Sequence, residues 1–161
     1  MAAYFTKEKL GKGILWLLVI LWMGLIFSFS ARTAPESNAQ SGRIIRIGAE
    51  LAVPEFREMS PPEQESFIEE WQHVVRKSAH GLAYFGLGIF SSLALSRHGW
   101  SRRKQIWTAL AIPYVYSVLD EIHQIFVSGR AFMFTDIGID MAAASLGVLI
   151  TFLIITWGPS L

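Results

Sequence analysis

A chain of 161 residues has room for one domain. Its hydrophobic share of 52% and mean hydropathy of +0.39 mark a membrane protein rather than a large soluble core. No cysteine is present, which excludes disulfides, thiolate metal ligands and thiol nucleophiles; the net charge of +1 carries no information on partners, and no nucleic-acid partner is expected.

The first apolar run, about residues 13–30, follows Lys7, Lys9 and Lys12 and is near the length a helix needs to cross the hydrocarbon core. Small residues at Ser28-Phe-Ser30 also allow a cleaved signal peptide. The run is somewhat long for that, and four helices satisfy one another better than three, so a retained span is expected.

Residues 31–76 form the next segment, with eight glutamates against five arginines. Ser60-Pro-Pro-Glu63 has capping-box spacing with Pro at the first helical position. Phe67, Ile68, Trp71, Val74 and Val75 then recur at helical spacing opposite Glu65, Glu69, Glu70 and Arg76, predicting an amphipathic helix that lies in the outer interface of the membrane and leads into the second span. A second such helix is expected to start at Ser37-Asn-Ala-Gln40 and run through Ile44, Ile47 and Leu51.

Three further spans are expected at about 78–96, 106–127 and 136–157. Arg97-His-Gly-Trp-Ser-Arg-Arg-Lys104, between the second and third, holds four basic residues and no acid. Together with the N-terminal lysines it places both termini in the cytoplasm and residues 31–76 outside, because basic short loops stay inside. The expected fold is therefore all-α: an integral bundle of four transmembrane helices with an outer amphipathic segment, forming a single domain over residues 1–161.

The third span contains Asp120, Glu121, His123 and Gln124 within an otherwise apolar stretch. A charged side chain at the bilayer centre costs about 2.5–3.5 kcal/mol on insertion scales, so such residues usually face an interior or a water-filled cavity. Helical spacing puts Asp120, His123 and Gln124 on one face, with Glu121 about 100° away. Lys77, His80 and Tyr84 share a face of the second span, Asp136 and Asp140 share one in the fourth, and Arg130 lies in the loop between the last two. Chain direction brings all of these into one leaflet. Each has a plainer reading: Lys77 and Asp136 as interfacial anchors, His80 as a core histidine, Tyr84 as part of an aromatic belt, Arg130 as the partner of Asp136, and the whole set as a salt-bridge network that fixes helix packing.

These residues also carry a resemblance. Lys77-x-x-His80-x-x-x-Tyr84, then Asp120-Glu121-x-His123-Gln124-x-Phe126-x-x-x-Arg130, then Asp136-x-x-x-Asp140 resembles the VanZ-like family of bacterial membrane proteins, as does Phe27-Ser-Phe-Ser30 with its polar sequel. The resemblance runs from about Gly13 to Ile155. It implies a small multi-helix protein of the bacterial cytoplasmic membrane, in a family named for a member associated with teicoplanin resistance, and it implies no settled activity.

Three chemistries are open to the set. In an enzyme acting on an envelope lipid or lipid-linked precursor, Asp120, Glu121, His123 and His80 would be catalytic or hold a divalent metal. Lys77, Gln124, Arg130, Asp136, Asp140 and Tyr84 would then bind substrate, the cations suiting a phosphate or carboxylate. The metal signal is weak because no HExxH-type spacing occurs, and neither a serine-nucleophile elbow nor a lipid-phosphatase signature is present. A non-catalytic protein would use the cluster to recognise a lipid headgroup, an amphiphilic glycopeptide or a partner. Ion conduction is disfavoured, since the inner halves of the spans hold no matching charges.

Overall fold

A computed structural model describes residues 2–157, with side chains from residue 9 onward. The side chain of Lys7, residue 1 and residues 158–161, all included in the expectations above, lie outside the described part. The order of elements is α1 (Ala2–Ser30), α2 (Ala34–Ala52), a 3-10 turn (Pro54–Arg57), α3 (Pro61–Ser96), α4 (Arg102–Gln124) and α5 (Phe134–Trp157), with no strand among the described residues. The all-α expectation holds.

Three helices, α1, α3 and α5, are long and apolar enough to cross a membrane. The fourth expected span, α4, falls outside that class because Arg102, Arg103 and Lys104 open it and Asp120, Glu121 and His123 close it. Its composition is nonetheless arranged inside out. Gln105, Ser117, Asp120, Glu121 and Gln124 are buried, while Trp107, Val115, Leu119 and Ile122 are exposed. Averaging along the helix hides this division of faces.

The tightest seam joins α3 to α5. A Cβ at Gly88 would collide with the carbonyl of Ala144, and one at Gly147 with the carbonyl of Phe85, so both positions admit only glycine at this separation. A third glycine, Gly86, receives the indole of Trp22 from α1, whose Nε1 donates to the Ala83 carbonyl at 2.7 Å. Elsewhere on α1 the Met23 carbonyl accepts the Tyr116 hydroxyl at 2.6 Å, and Trp16 Nε1 donates to His98 Nε2 at 3.1 Å. Val19 and Ile26 face the core, and Leu17, Ile20 and Leu21 are exposed.

At one end of the bundle α2 packs on the first half of α3, burying Ile45, Ala49, Phe56 and Ile68 together. Both helices begin with capping boxes. Glu36 accepts from the Thr33 N–H at 2.9 Å, and Glu63 from the Ser60 N–H at 2.7 Å. Two expectations change here. The predicted interfacial helix and second span are one continuous 36-residue helix, about 54 Å long at about 1.5 Å per residue. On α2, Ile45 and Ala49 make the buried face, whereas Ile44, Ile47 and Leu51 are exposed. The apolar stripe on α2 is wider than one partner helix can cover.

Candidate functional site

The sequence-selected polar residues meet at the end of the bundle where α1 gives way to α2 and α4 to α5. Two features shape that end. Helix α4 stops at Gln124, three residues short of the expected Val127, and Gly129 turns the chain with φ +75°. The Ala34 N–H then donates to the Ser128 carbonyl at 3.1 Å, fastening the two loops together. Asp120 is therefore one helical turn from the end of its helix, nearer the surface than its sequence position implied.

Three carboxylates are buried in this end: Asp120, Glu121 and Asp140. Each has one oxygen that accepts a hydrogen bond from the protein and one with no hydrogen-bond donor. Asp140 Oδ2 accepts the Ser117 hydroxyl at 2.8 Å across the α4–α5 seam. Glu121 Oε2 accepts the Met133 N–H at 2.7 Å, just ahead of α5. Asp120 Oδ2 takes a long 3.5 Å bond from Gln124 Nε2, which also donates to Ser30 Oγ at 2.9 Å. Asp120 Oδ1, Glu121 Oε1 and Asp140 Oδ1 find no hydrogen-bond donor in the protein, and neither does His80 Nδ1. His80 Nδ1 stands 3.8 Å from Asp140 Oδ1, too far for a hydrogen bond and close enough for an ion pair were the ring protonated.

Other expected residues take different positions. Glu121, predicted to lie off the polar face, is fully buried, in company with Ser117, Asp120 and Gln124 of the same helix. His123 instead packs on α1, its ring 4.6 Å from that of Phe27. Tyr84 is at the bundle centre, stacked on His80 with ring centroids 6.3 Å apart, so it belongs to no aromatic belt. Asp136 pairs with Lys77 at 2.7 Å, which overturns the simple Arg130–Asp136 pairing. Arg130 Nε donates to the Arg32 carbonyl at 3.4 Å.

Two cavities adjoin this cluster. A small one of about 10 Å³, the size of one water, lies among Arg76, Lys77, His80, Arg130, Asp136 and Asp140. A larger slot of about 260 Å³ runs between α1, α2 and α3, with apolar walls from Ile26, Ile44, Val75 and Ala83 and polar groups that include Arg32, Arg76 and Arg130. His80, Arg76 and Arg130 line both. Arg32 and Arg76 were missed by the sequence reading, since an arginine in a loop or at an interface carries no unusual cost. Among the described residues, no three histidine, aspartate or glutamate side chains converge as a metal site. The arrangement can accept hydrogen bonds from a ligand through the free carboxylate oxygens and can hold an anion through the guanidiniums.

The family model described as VanZ/LLP1 matches residues 15–155 of the chain. No curated protein and no solved structure matches it.

Proposed function

The chain belongs to the VanZ-like family, and from that premise we propose that it is a four-span protein of the bacterial cytoplasmic membrane that binds an amphiphilic molecule of the cell envelope at its outward-facing end. Its termini are cytoplasmic in this reading, supported by the four basic residues of the Arg97–Lys104 loop. Support for a fourth crossing comes from α4, whose 23 residues reach about 34 Å and whose exposed face is apolar.

The observation that carries the binding role is the division within each buried carboxylate. Helix packing accounts for one oxygen of Asp120, Glu121 and Asp140 and leaves the other without a donor. A buried carboxylate oxygen without a partner is costly, so a network serving packing alone would be expected to satisfy both. Asp140 lines the small cavity that shares Arg76, His80 and Arg130 with the larger slot, whose apolar walls and polar groups suit a molecule with a tail and a polar head. Envelope lipids, lipid-linked precursors and acylated glycopeptides have that form. A glycopeptide target would link this chain to the teicoplanin resistance for which the family is named.

The test compares cells with and without the protein, and cells carrying Glu121→Gln, for their envelope-lipid and precursor profiles and for teicoplanin susceptibility. A change with the native chain that Glu121→Gln abolishes at equal abundance supports the proposal. Identical profiles and susceptibility with and without the chain would overturn it.

A further inference from the structure

The slot between α1, α2 and α3 is lined by charge of one sign. Arg32, Arg76 and Arg130 border it, and no aspartate or glutamate does. None of the three takes part in the Arg46–Glu65, Lys77–Asp136 or His80–Asp140 ion pairs. Each guanidinium instead gives an N–H to a neutral acceptor. Arg32 donates to Gln40, Arg76 to Asn38 at 3.2 Å and Arg130 to the Arg32 carbonyl at 3.4 Å. A guanidinium has about five N–H donors in a planar fork, so most remain available.

Gathering like charges around one opening is unfavourable. Burial, and after it the nearby Arg76 guanidinium, holds the Arg130 pKa below the usual arginine range, against the opposing pull of Asp120, Asp136 and Glu121. An anion in the slot would relieve the repulsion between the guanidiniums. The same slot has apolar walls from Ile26, Phe29, Ile44, Val75, Ala79 and Ala83. Three forks around one opening exceed what a carboxylate's two oxygens can use and suit the oxygens of a phosphate.

We infer that Arg32, Arg76 and Arg130 bind the phosphate of a lipid headgroup, whose tail lies along the apolar walls between α1, α2 and α3. This rests on the reading of the slot as an amphiphile site and names the head it selects. Lys77, the cation that sequence spacing brought forward, is neutralised by Asp136 and takes no part. Arg32 closes the α1 side and Arg76 the α3 side, while Arg130 reaches in from the α4–α5 loop, so three elements converge on one anion.

The experiment uses the full chain purified in a non-ionic detergent, with binding followed by calorimetry. Three probes are compared: a short-chain phosphatidic acid, the diacylglycerol that lacks only its phosphate, and inorganic phosphate. Phosphatidic acid is expected to bind at least about tenfold more tightly than either of the others, and more weakly as salt is raised. Arg32→Gln and Arg76→Gln should each weaken it by about tenfold, the loss of one charge-assisted contact, and Arg46→Gln, outside the slot, should not. If a glutamine variant fails to fold, Arg76→Lys keeps the charge, loses the fork and should still weaken binding. Diacylglycerol binding as tightly as phosphatidic acid would overturn the inference and leave the amphiphile site standing. Inorganic phosphate binding as tightly as phosphatidic acid would overturn the part played by the tail. Binding of neither lipid by folded protein would sink the inference and the amphiphile site together.

Discussion

Glu121 accepts the Met133 N–H at 2.7 Å and so joins the last turn of α4 to the residues that lead into α5. The carboxylate is fully buried, and its second oxygen has no donor. Glutamine can present the same acceptor without the charge, whereas alanine removes it. Glu121→Ala should therefore destabilise the bundle by about 1 kcal/mol, the net worth of a typical part-buried hydrogen bond. Glu121→Gln should cost well under that. Thermal unfolding of both variants in detergent measures the difference; equal losses would mean that the Met133 bond contributes little.

The Lys77–Asp136 pair spans α3 and α5 at 2.7 Å with both side chains about one-fifth exposed, 21% each. Partial exposure keeps its value modest. A double-mutant cycle with Lys77→Ala and Asp136→Ala should give a coupling of about 1 kcal/mol that shrinks as salt is raised. Zero coupling at low salt would reduce the pair to a coincidence of two interfacial anchors.

At Gly88 and Gly147 an added Cβ meets backbone of the facing helix, which cannot rotate aside. Gly88→Ala and Gly147→Ala should each cost about 3 kcal/mol, the upper range for overpacking, or abolish accumulation. Gly48, in α2, has nothing within 4 Å of its would-be Cβ. Gly48→Ala should stabilise its helix by about 0.5–1 kcal/mol. Melting temperatures that fail to separate the two kinds of site would refute the close α3–α5 crossing.

Glu36 and Glu63 close the capping boxes of α2 and α3. Side-chain hydrogen bonds from Thr33 and Ser60 first, and their backbone N–H groups next, hold both carboxyls below the usual glutamate pKa. A pKa depressed on folding stabilises the folded form fully above the unfolded value and loses that support as pH falls through the folded one. Amide protection in the first turns of α2 and α3 should thus hold from neutral pH to the ordinary glutamate range and decline in more acid solution. Protection that stays flat across that range would refute the linkage.

How much could be read from the sequence differs by residue. Asp120, Glu121 and Asp140 were legible because charge in an apolar run is costly enough to need a reason. Their shared end of the bundle followed from chain direction alone. Rotation about each helix did not. The buried face of α4 meets both α3 and α5 and is wide enough to take in Glu121 together with Asp120, while His123 falls on the flank toward Phe27. The choice of Lys77 over Arg130 as partner of Asp136 depends on that same rotation. Arg32 and Arg76 gave no signal, because their importance lies in the absence of carboxylates from the slot they line, which only the fold reveals. Ser117, which carries no distinguishing pattern in the sequence, donates to Asp140.

The inside-out helix α4 also bears on how such a protein is made. In the four-span reading, α4 leaves the ribosome before α5, yet α5 supplies the Ser117–Asp140 contact and follows directly on the Met133 bond to Glu121. Until α5 arrives, the carboxylates of α4 would face lipid without those partners, so the helix is poorly suited to settle in the bilayer alone. Membrane insertion of the last two helices is then a joint event, with the hairpin around Gly129 entering as a unit. A chain shortened before Phe134 would forfeit two crossings rather than one.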